Sequence, residues 1–204
     1  MLAPEIHQEL IDKATAFHGH WCMGLAAGIR VSAWAMQAFD PFDHKNMVAV
    51  SETASCAIDA VQSLLGCTYG KGNLILLDRG KNAFSFFRLA DGMSARVVER
   101  YANDPDAQRI AEIRRELTSQ NISEWIRTRF EVEMAKLYKK RLDVLLRAGF
   151  EELFEVKKPD YGVPQRSRSL AQVQCKRCGE GVAKSRAMII AGKSYCPDCA
   201  QAAK

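Results

Sequence analysis

Residues 24–39 have the sequence GLAAGIRVSAWAMQAF, in which apolar side chains cover almost the whole circumference of a helix. Such a helix is buried in a core or against a partner subunit. We expect it to end near Asp40-Pro41, because the residue before a proline resists helical geometry. The stretch therefore predicts a buried central helix. Its apolar surface leaves two alternatives, a homodimer or burial within one chain.

The segments on either side predict both helices and strands. Apolar residues at helical spacing over 4–17 predict an amphipathic helix behind Pro4. The later segments predict a strand at 47–50, a helix at 55–65 that stops at Gly66, strands at 73–78, 82–89 and 93–100, and helices at 105–117 and 122–146. Short RGK and ADG turns predict that the three strands form an antiparallel meander. The irregular order favours an α+β fold, with helices packed on an antiparallel sheet.

The chain of 204 residues, with 48% hydrophobic and 26% charged residues, is typical of one globular domain, with or without a small appendage. We expect a core domain at 1–154, a basic linker at 155–172 and a four-cysteine unit at 173–204. The net charge of +5 is concentrated after the core domain. No run of about 18 apolar residues and no signal pattern is present, so we expect a cytoplasmic protein without membrane contact.

The C-terminal unit contains two Cys-x-x-Cys pairs, Cys175/Cys178 and Cys196/Cys199, with seventeen residues between them. In a reducing compartment this pattern predicts structural zinc bound by four thiolates. A predicted hairpin between the pairs and a short helix at the second pair favour a treble-clef finger over a zinc ribbon. Its basic residues leave nucleic acid as an alternative partner. The single aromatic residue Tyr195 favours docking on protein instead.

Three clusters in the first half carry reactive side chains, at 17–24, 52–59 and 66–73. The first two lie at predicted helix starts, where the helix dipole lowers the pKa of a cysteine. The third has glycines and a lysine suited to an anion, but not the spacing of a phosphate loop. Helix caps, buried small residues and a solvated turn are the structural alternatives. The candidate residues are His18, His20, Cys22, Glu52, Cys56, Asp59, Cys67 and Lys71.

The leading hypothesis is that the two histidines and the three cysteines converge on a second site in the core, which binds a metal or reacts through a thiol. Imidazole and thiolate ligands suit zinc or another transition metal, and fewer than four protein ligands leave a position for water or substrate. The residues assigned catalytic roles are Cys22 and Cys56 as thiols, Glu52 and Asp59 as proton carriers, and Lys71 as an anion ligand.

The motifs FHGHWCMG, ETASCAIDAVQ, GCTYGKGNL and DRGKNAF, followed by the four-cysteine finger, together resemble the FmdE family of formylmethanofuran dehydrogenase subunits over residues 15–90. The resemblance implies an α+β core, a treble-clef finger, homodimers, and association with the tungsten or molybdenum complex that reduces CO₂ onto methanofuran in methanogens. It implies no reaction for the FmdE protein itself. By position, the family's His-Gly-His-x-Cys falls on His18, His20 and Cys22, its later cysteines on Cys56 and Cys67, and its weaker matches on Glu52, Asp59, Lys71, Asp78 and Lys81.

Overall fold

The computed structural model describes residues 6–100, 103–119, 121–164 and 171–202. The chain divides into a first unit, Met1–Val163, and a second unit, Pro164–Lys204. The first unit contains α1 (Gln8–His18), α2 (Met23–Ala38), β1 (Met47–Ser51), α3 (Ala57–Leu65), β2 (Leu74–Leu76), β3 (Ala83–Arg88), β4 (Ser94–Glu99), α4 (Pro105–Leu117), α5 (Glu124–Arg147), α6 (Phe150–Leu153) and β5 (Phe154–Lys157). The second contains β6 (Gln172–Gln174), β7 (Gly181–Ala183), β8 (Met188–Ile190), β9 (Lys193–Tyr195) and α7 (Pro197–Gln201).

The first unit is built on a mixed five-stranded sheet in the order β2-β1-β3-β4-β5. The predicted α+β class is confirmed, but the predicted meander is wrong for β2, which pairs in parallel with β1. Helix α3 supplies the crossover that a parallel pair requires. Residues 77–82 then pass around the end of β1, where the amides of Leu77 and Arg79 donate to the carbonyls of Ser51 and Glu52. This crossing places β3 on the other side of β1.

Side chains on opposite faces of the sheet belong to two different clusters. Met47 and Ala49 of β1 lie in the main core with residues of α2 and α3. Val48 and Val50 lie on the opposite face, where they pack with Phe87. Because side chains alternate along a strand, the residue that follows Ser51 also points to the opposite face. This alternation decides which polar groups can approach the helices.

Helix α2 is buried within this one chain, so a partner subunit is not required to cover its apolar surface. It packs directly on α3 at Gly28. A Cβ atom at Gly28 would lie 2.7 Å from the Cα atom of Ala57 and 2.8 Å from the Cβ atom of Ala60. One turn earlier, a Cβ atom at Gly24 would lie 3.0 Å from that of Cys56. The two glycines therefore let the helix backbones approach closely.

The first unit extends beyond residue 154, where the core domain was predicted to end. Residues 154–157 form β5, which pairs with β4, and Tyr161 packs on Phe87. The predicted start of the linker at 155 is therefore wrong, because these residues complete the sheet and cover its second face. Residues 165–170 of the predicted linker lie outside the described residues. The predicted first helix begins at Gln8, and residues 1–5 also lie outside them.

Helix α5 is the most exposed long element of the first unit, since Leu145 is its one buried residue. The side chains of Trp125 and Val132 are 69% and 50% exposed on it. The expected homodimer stays a prediction, and this apolar surface is where a second copy could pack. Among the described residues, no helix combines the length and hydropathy needed to cross a bilayer.

We expect Gly28→Ala to lower the free energy of unfolding by about 2 to 3 kcal/mol, the upper range for overpacking. The added methyl group would overlap the backbone of Ala57, and this cost outweighs the gain of about 1 kcal/mol in helix propensity. Urea unfolding measures the difference. Gly70→Ala is the control, because no atom lies within 4 Å of its added Cβ. Equal stability of the two variants would contradict the close α2–α3 contact.

Candidate metal centres

The second unit brings its four cysteines together. The sulfur atoms of Cys175, Cys178, Cys196 and Cys199 all lie within 4.8 Å of one another, and those of Cys178 and Cys196 are 3.9 Å apart. Tetrahedral zinc with Zn–S bonds of about 2.3 Å places two sulfurs about 3.8 Å apart. The predicted hairpin and short helix are present as β8–β9 and α7. The four cysteines therefore fit one zinc ion with no open position.

Backbone amides prepare Cys175 for metal binding. The amides of Cys178 and Cys196 donate toward its sulfur, and they lower the pKa of Cys175 to about 6. A thiolate is the form that coordinates zinc. Because these donors belong to the folded turns, the second unit stabilises a metal-ready thiolate at this position.

In the first unit, a second group forms where α1 ends and α2 begins. Gly19 adopts a left-handed conformation with φ of 89°, and its amide donates to the carbonyl of Thr15, which ends α1 after His18. The chain then turns, and Cys22 caps α2 by accepting a hydrogen bond from the amide of Leu25 at 3.4 Å. Two helix ends thus bring His18 and Cys22 together.

The geometry of this group suits a metal ion. The Nε2 atom of His18 lies 3.7 Å from the Sγ atom of Cys22. The rings of His18 and His20 have centroids 4.4 Å apart, and the ligand atoms of all three residues lie within 4.8 Å of one another. A nitrogen and a sulfur bound to tetrahedral zinc are about 3.5 Å apart. His20 is exposed, so the group is open to solvent.

Asp59 orients His18. Its Oδ2 atom lies 2.7 Å from Nδ1 of His18, and its Oδ1 atom accepts a hydrogen bond from the side chain of Gln62 at 3.3 Å. Asp59 lies in the first turn of α3, so the contact between α2 and α3 determines its position. With Nδ1 held by the carboxylate, Nε2 is the ring nitrogen that faces Cys22. Carboxylates hold metal-binding histidines in this way.

Cys56 lies beside this group but outside its set of mutually close ligand atoms. Burial raises the pKa of Cys56, and a hydrogen bond with the thiol of Cys22 raises it further. The expected lowering of its pKa by the helix start is therefore wrong. Cys56 is better described as a neutral thiol that borders the ligands.

Cys67 and Lys71 lie at the other end of α3, so the predicted convergence of all three cysteines is wrong. Ten residues separate Cys56 at the start of this helix from Gly66 at its end, which corresponds to about 15 Å at 1.5 Å per residue. Cys67 is fully buried, with its sulfur 3.8 Å from the carbonyl oxygen of Met47. Lys71 is exposed next to Gly66. Neither belongs to the group of close ligand atoms formed by the described residues.

Glu52 also has a different role from the predicted one. Its carboxylate is fully buried on the sheet face opposite α2 and α3, where Arg96 donates to it at 2.6 and 2.9 Å. This guanidinium holds the pKa of Glu52 below its usual value. Tyr161 lies 3.5 Å away and donates to Ser85. Glu52 therefore forms a structural ion pair, and the assignment as a proton carrier is wrong.

The weaker candidates Asp78 and Lys81 are exposed and lie in the crossing segment at the end of β1. Asp78 accepts a hydrogen bond from the amide of Gly80, and the backbone amide of Lys81 donates to Glu52. Sequence reasoning missed Arg96 and Tyr161 completely. Their partner Glu52 is 44 and 109 residues away, and no local pattern marks such a pair.

Two family models match the chain. Residues 17–155 match the family described as FmdE, Molybdenum formylmethanofuran dehydrogenase operon, and residues 166–204 match the prokaryotic dksA/traR C4-type zinc finger. The crystal structure of an FmdE-like protein of tungsten formylmethanofuran dehydrogenase, from Syntrophus aciditrophicus, has a TM-score of 0.62 and 24% identity, over 99% of this chain and 98% of that one. At this identity the likeness shows the fold.

One curated protein, a probable S-adenosyl-L-methionine-binding protein from Archaeoglobus fulgidus, is 37% identical over 94 residues. The match covers 43% of this chain and 26% of the relative, so the chain spans about a quarter of that protein's length.

We expect Arg96→Met to lower the free energy of unfolding by about 3 to 5 kcal/mol, because it leaves the buried Glu52 carboxylate without a partner. Urea unfolding at pH 7 measures the loss. Arg79→Met is the matched control, since Arg79 approaches Glu52 only to 4.0 Å and is 37% exposed. Its loss should stay below about 1 kcal/mol. Equal losses in both variants would contradict the assigned pair.

The same pair predicts a pH dependence. Because the pKa of Glu52 is lower in the folded chain than in the unfolded chain, its contribution is fully present above about pH 4.3 and is lost as the pH falls toward the folded pKa. Glu52→Gln should lack this part of the acid-induced loss of stability.

Proposed function

Because the chain belongs to the FmdE family, we propose that it is a metal-binding accessory subunit of a formylmethanofuran dehydrogenase-type complex, with zinc or a similar transition metal held by His18, His20 and Cys22. The single observation that carries the metal site is the close approach of these three ligand atoms. The family description and the solved neighbour supply the link to the dehydrogenase.

The donor set and its surroundings support a transition metal. Two imidazoles and one thiol suit zinc better than magnesium or calcium, which prefer oxygen ligands. The bond from His18 to Asp59 determines which ring nitrogen faces the ion and raises its basicity. The positive end of α2 favours a thiolate at Cys22. These residues are thus arranged for ligation and not for a cap alone.

Three protein ligands leave one coordination position for water or substrate, as in catalytic zinc sites. When bound, such an ion supplies Lewis-acid polarisation of a substrate oxygen or a more acidic water. The chain's own part is to orient His18 through Asp59 and to hold Cys22 at the helix start. Cys56 borders the ligands as a neutral thiol. The finger differs, because its four cysteines close the coordination sphere, and there we propose a structural zinc ion.

We expect the full chain to bind about two zinc ions, one in each unit, and the double variant His20→Gln/Cys22→Ser to bind about one. Metal analysis after dialysis measures the number, and circular dichroism checks that the variant is folded. One ion in both proteins, held only by the finger, would overturn the site in the first unit.

The orienting role of Asp59 has its own readout in the same experiment. Asp59→Asn should weaken binding at the first-unit site about 10- to 100-fold, as loss of such a partner does in other zinc proteins. Competition with a chromophoric chelator measures this affinity. Asp12→Asn is the matched control, because Asp12 is an exposed carboxylate of α1 that bonds only to Gln8 among the described residues.

A second candidate function, docking through the finger, is favoured by an exposed apolar pair on its hairpin. Met188 and Ile189 of β8 are 42% and 67% exposed. Among the described residues of this unit, the cations Lys184, Arg186 and Lys193 form no ion pair. An apolar centre with a charged rim is typical of protein interfaces. The finger would then attach the metal-binding unit to the dehydrogenase.

We expect Ile189→Asp to weaken binding of the full chain to purified formylmethanofuran dehydrogenase about tenfold or more, as loss of a central apolar contact does. Ser185→Asp, at an exposed polar position of the same unit, should bind normally. Unchanged binding of Ile189→Asp would reject docking through this pair. Retention on DNA that falls steeply with salt would instead favour nucleic acid as the partner.

A further inference from the structure

A pocket of about 130 Å³ opens between the first turns of α2 and the strands β3 to β5. Its walls are apolar. Ala27 and Val31 contribute from α2, Phe84 from β3 and Phe154 from β5. The volume equals that of about four water molecules, and it is less than half of the roughly 300 Å³ at which pockets for drug-sized ligands begin. The pocket therefore suits a small aliphatic body, and a nucleoside or a pterin is too large for it.

A single charged group lines this pocket. Glu99, the last residue of β4, accepts a hydrogen bond from the side-chain amide of Asn82 at 2.8 Å through one carboxylate oxygen. Among the described residues, no lysine or arginine forms an ion pair with Glu99. A carboxylate beside apolar walls and without a cationic partner selects a ligand with a positive charge. An aliphatic ammonium compound has both features.

The pocket borders the metal-binding group of the first unit. Gly24 and Ser55 line it, and they lie two residues after Cys22 and one residue before Cys56. The missing side chain of Gly24 leaves room for the Cβ atom of Cys56 and keeps the pocket open at this end. Since the thiols of Cys22 and Cys56 are hydrogen-bonded, the pocket begins where the ligand group ends.

We propose that this pocket binds the short aliphatic chain of an amine substrate, with Glu99 holding the ammonium group and the rest of the chain directed toward the metal-binding group. The assignment rests on the proposed function, because the pocket gains a catalytic purpose only from a metal beside it. It names a substrate class for that site, small primary amines of about four or five heavy atoms. A second pocket on the other side of Glu99 is wider, and its ion pair between Asp104 and Arg141 already satisfies its charges.

The test uses n-butylamine as the probe, with n-butyrate as the probe of opposite charge, and the zinc-loaded full chain. We expect n-butylamine to shift the amide signals of Gly24, Ser55 and Asn82 saturably in two-dimensional NMR spectra, and n-butyrate to shift none of them. Glu99→Gln should weaken n-butylamine binding about tenfold, as loss of a charge-assisted hydrogen bond does. Glu131→Gln, at an exposed position of α5, is the matched control and should bind normally.

A second variant tests the cavity itself. Ala27→Leu fills the apolar wall and should abolish the shifts, whereas Ala111→Leu on the exposed surface of α4 should not. Both Glu99→Gln and Ala27→Leu should keep the zinc content of the natural chain, because neither residue is a ligand. Cobalt in place of zinc should broaden the signals of bound n-butylamine, and His20→Gln/Cys22→Ser should remove this broadening.

The outcomes separate the two proposals. Zinc bound in the first unit without saturable n-butylamine shifts, or equal binding by Glu99→Gln and Glu131→Gln, would overturn the pocket and leave the metal site. Saturable shifts without zinc in the first unit would overturn the metal site and the proposed link to it.

Discussion

The close contact of α2 with α3 is the constraint on which the first unit depends. Gly28 lies against the backbone of Ala57, where no side chain would fit. The contact has two consequences at once. It completes the main core between the helices and the sheet, and it brings the start of α3 beside the start of α2. Asp59 can therefore reach His18, and Cys56 can reach Cys22. A wider spacing of the helices would separate the ligands from the carboxylate that orients them.

The sheet separates two kinds of polar chemistry. On the face toward the helices, polar groups lie at the helix starts and remain partly accessible, as ligands of an ion must be. On the opposite face, Glu52 and Arg96 form a buried ion pair that Tyr161 covers. A carboxylate held ionised by a neighbouring guanidinium is poorly suited to carry protons near neutral pH. The alternation of side chains along β1 therefore assigns Glu52 to the structure and leaves Asp59 to the site.

The two groups of ligands differ in the way expected for structural and reactive metal sites. The finger supplies four sulfurs from two turns, which leaves no free position. The group in the first unit supplies three atoms, and one of its histidines is exposed. A pocket with a single carboxylate lies next to it. This combination connects the FmdE fold to chemistry on a small substrate, while the finger is suited to holding a partner.

The sequence alone was sufficient for the features that depend on local spacing. It determined the four finger cysteines, the buried character of 24–39, most helix boundaries, and the ligands His18, His20 and Cys22, which lie within five residues of one another. Only the tertiary structure decided the position of β2, the face of Glu52, the separation of Cys67 from Cys56 and the pairing of Asp59 with His18. Such pairings join residues that are far apart in the chain, and they are determined by how helices and strands pack. Local periodicity describes one element at a time and contains no information about its neighbours.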